Sequence, residues 1–348
     1  MKKLVIFCFF LFSLASVKAQ NIGNLLLASD DASLLSQKYL NPAIGGMLSG
    51  INSGWYTTAK THKKFGFDLT IGMSASFTPD KDQTFDFKQS QYNYISLESG
   101  NSQLPTVLSE IENETTFQVS IPTAGGNFKV GTFTMPGGVV SEMPVNATPA
   151  PHLQVGLGLH FKTDIKFRYV PTINYDSKVN GSLIGIGLQH DITQYLGNLS
   201  KLPFSVSILG AYSKANVDYN IDNDNLSSGI SSTNGNAIFT LNTFTVQALG
   251  SLDFKIFTFY TGLGYNSATA NFNIKGDYSL SYDVEDSNGN SITTVTENIS
   301  NPINLDFNSN GMRVTLGTRL NLSIFKIFAD YTVQEYNTAS AGIVFSLR

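Results

Sequence analysis

The chain has 348 residues, of which 42% are hydrophobic and 14% are charged, and its formal net charge is −4 at pH 7. Soluble globular proteins carry roughly 25% charged residues, so this content is low. The acidic balance argues against nucleic acid as a partner, because nucleic acids are bound by basic surfaces. Beyond the N-terminal segment, no apolar run reaches the ~20 residues that a membrane helix needs.

The N-terminus has the layout of a signal peptide. A basic start is followed by an apolar stretch over residues 4–14 and by a short stretch that ends in the small residue Ala19. We expect cleavage after Ala19 and export to the cell outer membrane, with an uncleaved membrane anchor as the alternative. The single cysteine, Cys8, lies within this predicted signal peptide (1–19), so the mature chain is expected to have no disulfide and no thiolate metal site.

A short helix is predicted near the start of the mature chain. Apolar residues there recur at helical spacing and share one face, namely Ala28, Ala32, Leu35 and Tyr39. We expect this helix to end at Asn41 and Pro42, because the residue before a proline avoids the helical region. Residues 20–50 would then form an N-terminal hatch, or plug.

From residue 65 the hydrophobic period changes to two. Residues 65–77 alternate without a break, whereas an ordinary strand has about 5–6 residues and a tilted membrane strand about 9–11. The alternation recurs in further segments, among them 153–161, 204–208, 257–265, 312–322, 327–333 and 339–347. The pattern predicts an all-β fold, a transmembrane antiparallel up-and-down β-barrel of about 12–14 strands with a short helical N-terminal plug, the barrel covering residues 51–348.

Two kinds of connection are expected between the strands. Tight turns are predicted at 162–164 and 324–326, and long polar loops at 213–236 and 273–309. Short turns at one end and long loops at the other are typical of membrane barrels, with the long loops outside the cell. Within the second long loop, Asn288-Gly289 predicts the tip of a hairpin.

Residues 97–151 fit the alternating pattern least. They contain six prolines, which central strands exclude, so we expect distorted strands and inward-folded loops here. Elsewhere, residues 253–257 (DFKIF) and 324–328 (IFKIF) are similar to each other. We interpret this similarity as shared turn chemistry and not as a domain repeat.

The phrase YLNPA (39–43) follows the predicted helix and precedes the first strand, and its Asn41, Pro42 and Ala43 form a candidate hatch motif. In this position the motif resembles the hatch of the FadL-type outer-membrane transporters. The resemblance implies a barrel of about 14 strands. It also implies a hatch that plugs the lumen and the passage of long-chain fatty acids or other hydrophobic compounds.

Phrases scattered over the mature chain also resemble an uncharacterised family of outer-membrane proteins with the same layout. These phrases are 39–56, 104–106, 149–159, 166–171, 189–192 and 202–204. The resemblance implies the fold and the location of the chain, and it implies no substrate.

Five charged residues fall on the predicted inward faces of strands, namely Lys166, Arg168, Arg313, Arg319 and Asp330. A charge that faces lipid costs roughly 2–4 kcal/mol at mid-membrane, so these side chains should point into the lumen. We favour ion pairs that hold the plug or brace the barrel. The alternative is an electrostatic lining that binds a ligand carboxylate.

No catalytic constellation, metal site or cofactor is predicted, and we expect the chain not to be an enzyme. Of the four histidines (His62, His152, His160 and His190), His152 and His160 share one strand face but are eight residues apart. At ~3.3 Å per residue they are too far apart for one metal ion. Residues 222–225 (DNDN) offer oxygen ligands for calcium without EF-hand spacing. A solvated loop tip is the simpler interpretation.

Seven aromatic residues lie near predicted strand ends or middles, namely Trp55, Tyr56, Tyr169, Tyr212, Tyr265, Tyr331 and Tyr336. Positions at strand ends suit the aromatic girdles of membrane interfaces. Packing against neighbouring side chains is the alternative, and the sequence alone leaves both open.

These features together favour uptake of small hydrophobic, fatty-acid-like compounds through a plugged lumen, because an occluded barrel suits apolar cargo better than a water-filled pore. The expected partners are outer-membrane lipid and a hydrophobic small molecule. One alternative is a FadL-like barrel that acts as a binding or secretion-accessory scaffold through its long loops. A barrel lipid hydrolase and a soluble β-sandwich adhesin are further alternatives, and the long alternation over 65–77 disfavours the sandwich.

Overall fold

The computed structural model describes residues 28–123, 126–143, 145–175, 179–197, 203–221, 230–285 and 291–347. The predicted signal peptide with Cys8, the segment 222–225 and the Asn288-Gly289 turn lie outside the described residues and stay predictions. In chain order, the helix and strands are α1 (Ser29–Ile51), β1 (Phe67–Phe77), β2 (Thr84–Asp86), β3 (Ile95–Ser99), β4 (Gln103–Pro105), β5 (Thr115–Thr123), β6 (Gly126–Met135), β7 (Ala147–Gly158), β8 (Thr163–Tyr175), β9 (Val179–Asp191), β10 (Phe204–Asn220), β11 (Ile230–Asp253), β12 (Phe257–Glu285), β13 (Ser291–Ser300), β14 (Ile303–Leu322), β15 (Phe325–Val333) and β16 (Thr338–Leu347).

Ten strands form a closed antiparallel barrel. Their order around the wall is β1, β7, β8, β9, β10, β11, β12, β14, β15 and β16. Closure follows because β1 pairs with both β7 and β16, while β11 pairs with β12. The wall therefore has no open edge. The predicted all-β antiparallel barrel with an N-terminal helix is confirmed.

The predicted number of about 12–14 strands is wrong, since the wall has ten. Residues 78–146 leave the wall and form a cap, in which β2 pairs with β4 and a separate sheet has the order β3-β5-β6. In addition, β13 pairs with the C-terminal part of β12, beyond the part that pairs with β14. Hydrophobic period shows where strands lie, but it does not show which strands pair with one another.

The prolines of β7 are accommodated at a partly unpaired edge. Pro149 and Pro151 pair with Ala75 and Met73 of β1, whereas β7 pairs with β8 only over its last five residues, from Gln154 onward. A proline cannot donate a ladder hydrogen bond, and it is tolerated where one edge of a strand carries no partner. The last residues of the proline-rich stretch 97–151 therefore belong to a wall strand.

The two segments predicted as long loops are largely strand. Over 213–236, β10 continues to Asn220 and β11 begins at Ile230, and most of 273–309 belongs to β12, β13 and β14. With 24 and 29 residues, β11 and β12 are far longer than the 11 residues of β1. The polar composition, rich in Asn and Ser, indicates loops. The same composition also suits long strands whose ends are exposed to water.

The two ends of the barrel differ. At one end the connections between β7 and β8, β11 and β12, and β14 and β15 have only two to four residues. We call this end the short-turn end. The opposite end carries the cap and the extensions of β10 to β14, and we call it the cap end.

The wall is apolar outside, and its inner face is polar along β1 and apolar over part of β9 to β14. Along β1, Thr70, Ser74 and Ser76 are buried, while Phe67 and Ile71 are exposed. Large exposed apolar residues recur on the other wall strands, for example Leu153, Ile184, Phe244, Leu263, Leu316 and Ile343. Among the described residues, no helix is long and apolar enough to cross a membrane.

Helix α1 lies inside the barrel and contacts β1, β7, β11, β12 and β14. Its N-terminal half packs against the cap through Leu35 and Tyr39, and its C-terminal half packs against the wall through Met47 and Leu48. We call α1 the plug helix. Residues 52–66 continue from it through the lumen to β1 at the short-turn end, and we call them the linker.

The prediction that the helix ends at Asn41-Pro42 is wrong, because α1 continues through Pro42 to Ile51. An interior proline removes one helical hydrogen bond and costs about 3 kcal/mol. Burial of a large apolar side chain stabilises by roughly 1.5–3 kcal/mol, and Ile44, Met47 and Leu48 are all buried beyond the proline. Packing inside the barrel therefore outweighs the local preference.

Candidate functional site

Two arginines from different parts of the wall bind the C-terminal end of the plug helix. Arg168 of β8 donates to the carbonyl oxygens of Ile51 and Ser53 at 2.8 and 3.0 Å. Arg313 of β14 donates to the carbonyl oxygen of Asn52 at 2.8 Å and to Ser53 Oγ at 3.1 Å. The last carbonyls of a helix lack partners within it and carry partial negative charge. We call Arg168 and Arg313 the arginine pair.

The arginine pair is held in place by polar neighbours on the same wall. Arg168 also donates to Gln154 Oε1 at 3.0 Å, and Arg313 to Asn266 Oδ1 at 3.2 Å. Both guanidinium side chains are almost completely buried, with 1% and 2% exposure. Buried charges need such partners, because an uncompensated one is strongly destabilising. The arrangement fixes the plug helix to the barrel by its end.

Trp55 of the linker lies in a slot of the wall. A Cβ at Gly185 or Gly187 would come within 3.1 or 3.0 Å of the indole ring, so a larger residue at either position would crowd the ring. The Arg168 guanidinium lies 4.1 Å from the ring centroid, a cation–π distance. Lys166 donates to the Trp55 carbonyl oxygen at 2.9 Å. The indole and its backbone are thus held by β8 and β9.

Tyr56 packs against the other side of the lumen. Its ring meets that of Tyr260 edge to face at 5.8 Å, and its hydroxyl donates to Gln247 Oε1 at 3.2 Å. Tyr260 in turn donates to Asp330 Oδ2 at 2.9 Å. Arg319 donates to Thr57 Oγ1 at 3.1 Å.

The structure therefore places the side chains of the five charged residues from the sequence analysis inside the barrel, each with 8% exposure or less. Lys166, Arg168, Arg313 and Arg319 all contact the plug helix or linker directly. Their partners are mostly backbone carbonyls and hydroxyls. Arg319 also forms an ion pair with Asp253 of β11, Nη2 to Oδ1 at 3.9 Å, of the barrel-bracing kind that the sequence analysis favours. Asp330 contacts the linker indirectly, through Tyr260.

The aromatic residues divide into two groups. Tyr169, Tyr212, Tyr265 and Tyr331 are exposed on the outer face, whereas Trp55, Tyr56 and Tyr336 are buried inside. Trp55, Tyr56 and Tyr336 therefore do not belong to an interfacial girdle and follow the alternative of packing against neighbouring side chains. Glycines at inward-facing strand positions are the sequence signal for these buried rings. A Cβ at Gly262 would overlap Tyr56, and a Cβ at Gly317 would overlap Tyr260.

His62 joins the linker to the wall at the short-turn end. Its Nδ1 lies 2.9 Å from Asp164 Oδ2 and its Nε2 lies 3.2 Å from Asp68 Oδ2. Burial alone would lower the pKa of His62, but the two carboxylate hydrogen bonds outweigh it and raise the pKa to about 9. The imidazolium is therefore charged at neutral pH and bridges β1 and β8.

We predict a pH dependence from this bridge. A group whose pKa is raised on folding stabilises the fold fully below its unfolded pKa of about 6.5 and loses that contribution as pH rises through the folded value. The unfolding temperature in detergent should therefore fall as pH rises through about 9, by an amount that reflects up to ~3 kcal/mol. His62→Gln should be less stable at pH 7 and should lack this fall, and exposed His160→Gln serves as the control. An identical fall in the His62→Gln variant would contradict the assignment.

The other histidines do not form a metal site. His152 is buried beside Gly54 and Gly72, while His190 contacts Thr163 Oγ1 at 2.8 Å and Tyr195 OH at 3.1 Å. Within the part of the chain that the structure describes, no group of His, Cys, Asp and Glu is placed to hold a metal ion.

A pocket of about 330 Å³ lies between the plug helix and the cap. We call it the mouth pocket. Its lining combines apolar, polar and charged side chains, namely Leu34, Gln37, Lys38, Asn41, Pro42, Asp82, Thr84, Phe85 and Thr106. Asn41 and Pro42 belong to the candidate hatch motif, whereas the third member, Ala43, is buried in the cluster formed with the cap. Small-molecule pockets usually measure about 300–1,000 Å³, so the size suits a small ligand.

The helix face below the mouth pocket is apolar. Ile44 and Leu48 follow Asn41 at spacings of three and seven, so they share its face. With Met47 and Ile51 they pack against an apolar part of the inner wall, formed by Leu183, Ala215, Phe239, Leu241, Ala268, Ala270, Ile303, Leu305 and Phe307. We call this contact the apolar seam.

Comparison with known proteins identifies the family of the chain. Residues 1–347 match the model of a "Family of unknown function (DUF6588)", and the chain belongs to this family. A search of curated proteins found no match.

Several solved structures show low similarity to this chain. They include Ail of Yersinia pestis (10% identity, TM-score 0.28, 82% of this chain and 100% of that chain) and the translocator domain of the autotransporter NalP of Neisseria meningitidis (10%, 0.27, 82% and 90%). A Pseudomonas aeruginosa FadL homologue matches with 10% identity and a TM-score of 0.19, over 89% of this chain and 92% of that chain. Similarity at this level assigns no activity.

Proposed function

We propose that the chain is exported to the outer membrane and takes up small hydrophobic, fatty-acid-like compounds through its plugged lumen, in the manner of a FadL-like transporter and without enzymatic chemistry. Insertion is supported by the exposed apolar outer face. It is also supported by the 9 to 13 residues of β1, β8, β9, β15 and β16, since about 9–11 residues cross the apolar core. The longer connections of membrane barrels lie outside the cell, so the cap end is the outer end in this proposal.

The mouth pocket above the apolar seam is the observation that carries the proposal. A ligand in the pocket contacts Leu34, Pro42 and Phe85. From there the seam offers an apolar route between the plug helix and β9 to β14, ending at the arginine pair. Passage requires the plug helix to shift, because its side chains fill the seam.

Lys38 gives the mouth pocket a cation for an acidic head group. Its Nζ lies 2.6 Å from Gln91 Oε1 and 5.8 Å from the centre of the Tyr92 ring. An ammonium group can exchange such a neutral partner for a carboxylate, because the opposite charge adds Coulomb attraction to the hydrogen bond. The chemistry suits an amphipathic ligand with a carboxylate at one end.

We predict that the purified protein binds laurate saturably and that Lys38→Gln weakens this binding about tenfold, which corresponds to ~1.4 kcal/mol for a charged hydrogen bond. Dodecanol, which has the same chain and no charge, should bind both proteins alike. Lys81→Gln removes a cap lysine that does not line the pocket and should leave laurate binding unchanged. Calorimetric titration measures all five cases, three with laurate and two with dodecanol. Absence of saturable laurate binding would contradict the proposed uptake.

A binding or secretion-accessory scaffold is the second candidate, and the cap favours it. The cap has its own apolar core, built from Phe87, Tyr92, Ile95, Leu104, Phe117 and Phe133. Such a rigid outer layer offers a surface for a protein partner. A stoichiometric partner that co-purifies with the chain, and is lost when the cap surface is altered without loss of laurate binding, would favour this function.

A further inference from the structure

The turns at the short-turn end repeat one pair of residue types. Lysine and phenylalanine are neighbours at seven places in the chain, and three of these lie in the cap or on β8, namely Phe87-Lys88, Phe128-Lys129 and Lys166-Phe167. The other four are Lys64-Phe65, Phe161-Lys162, Phe254-Lys255 and Phe325-Lys326. These pairs precede β1 and lie at the turns from β7 to β8, from β11 to β12 and from β14 to β15. We call the four pairs the basic–aromatic rim. The similar phrases 253–257 and 324–328 supply two of them.

The phenylalanines of the rim are exposed although they lie in turns. Phe65 and Phe161 are 72% and 81% exposed, and Phe254 is 52% exposed. Phe65 and Phe161 also have positive φ angles of 62° and 59°, a conformation that bulky residues rarely adopt. Exposure of these apolar rings to water is unfavourable, whereas the interface of a bilayer accommodates aromatic side chains.

The rim is basic because its acidic residues face inward. Asp68 and Asp164 bind His62, and Asp253 accepts from Thr58 Oγ1 at 3.0 Å. By contrast, Lys64, Lys162 and Lys255 are exposed, and Lys64 Nζ lies 4.8 Å from the centre of the Phe65 ring. Lys162 Nζ lies 3.9 Å from Asp191 Oδ2, and Lys326 is half-buried. In the described residues of these turns, every exposed Lys, Arg, Asp or Glu is a lysine.

We propose that the basic–aromatic rim binds the head groups of anionic phospholipids in the leaflet at the short-turn end, which rests on the proposed membrane location. The phenylalanine rings enter the interface, and the neighbouring ammonium groups lie at the depth of the phosphates, as long basic side chains do at membrane surfaces. Anionic lipid attracts each basic residue near the surface with about 1 kcal/mol, or roughly fivefold in affinity. The rim therefore selects phosphatidylglycerol over phosphatidylcholine.

Lipid selectivity of the full chain in reconstituted vesicles tests this inference. Electron spin resonance of spin-labelled phosphatidylglycerol and phosphatidylcholine gives the relative affinity of the lipids at the protein surface. We expect severalfold preference for phosphatidylglycerol, falling as salt is raised. The variant with Lys64, Lys162, Lys255 and Lys326 changed to glutamine should lose this preference. The control, with Lys81, Lys88, Lys129 and Lys275 at the cap end changed to glutamine, should keep it.

Two outcomes would overturn the inference, namely equal affinity for both lipids and a preference that survives in the rim variant. Inorganic phosphate is added in a separate arm against sodium chloride of equal ionic strength. Loss of the preference with phosphate alone would indicate a site for the free anion and would overturn the lipid assignment. Laurate binding and heat-modifiable migration of the rim variant should be unchanged, so failure of the rim is distinguishable from failure of the barrel or of uptake.

Discussion

Replacing Arg168 and Arg313 together with glutamine is expected to turn a closed barrel into one that conducts ions. Each arginine donates to carbonyl groups at the end of the plug helix, and a charged hydrogen bond contributes roughly 1.5–3 kcal/mol. Loss of both should raise the displaced fraction of the plug by a factor on the order of 10²–10⁴. Conductance in planar bilayers measures the change, with brief openings in the parent protein and long-lived openings in the double variant.

Arg319→Gln is the matched control for this experiment. Arg319 lies in the same lumen but donates to the hydroxyl of Thr57 and not to the end of the helix. It should change conductance far less than the double variant. Heat-modifiable migration in detergent shows which variants still form the barrel. A folded double variant that stays as closed as the parent would show that the arginine pair does not hold the plug.

Gly45→Ala is expected to lower the stability of the barrel, although helices intrinsically prefer alanine to glycine. In an exposed helix, alanine is about 1 kcal/mol more favourable than glycine. Here a Cβ at Gly45 would lie 2.3 Å from Cε2 of Tyr336, a buried ring on the connection between β15 and β16. Overpacking of this kind costs typically ~1–3 kcal/mol, so the unfolding temperature should fall.

The control for Gly45 is a glycine without such a neighbour. A Cβ at Gly210 on β10 meets nothing within 4 Å, so Gly210→Ala should be neutral or slightly stabilising. Changing Tyr336 to alanine in the Gly45→Ala protein removes the overlapping ring and should make the glycine substitution cheaper than in the parent. An unfolding temperature that rises for Gly45→Ala alone would contradict a tightly seated plug.

The sequence predicted the features that depend on local pattern. Unbroken alternation over 65–77 indicated a membrane strand, and β1 occupies most of that range. The helical spacing of Ala32, Leu35 and Tyr39 indicated the plug helix, and all three are buried. Both follow from periodicity, which requires no knowledge of the partner element.

Features that depend on distant partners could not be predicted. Strands β3, β5 and β6 form a separate sheet in the cap, and only their pairing shows that they lie outside the wall. Likewise, a proline often ends a helix, but α1 continues through Pro42 because the wall buries the residues beyond it. Trp55 is buried because glycines on β9 leave space for its ring, a contact between segments about 130 residues apart in sequence.

Movement of the plug helix during uptake is tested most directly by a reversible cross-link. A Cβ at Gly46 would lie 3.7 Å from the Cβ of Ser76 on β1, within the ~3.5–4.5 Å of a disulfide. The neighbouring Thr148 Oγ1 would crowd this position, so Thr148→Ala is included with Gly46→Cys and Ser76→Cys. Cys8 is replaced by serine in all variants.

Uptake of radiolabelled laurate is then measured in cells that produce the cross-linked protein, before and after reduction. We predict that the disulfide forms, that it abolishes the uptake due to this protein, and that a reductant restores it. The variant with the Gly46→Cys change but without Ser76→Cys should transport under both conditions. A complete cross-link that leaves laurate uptake unchanged would contradict passage through a lumen gated by the plug helix.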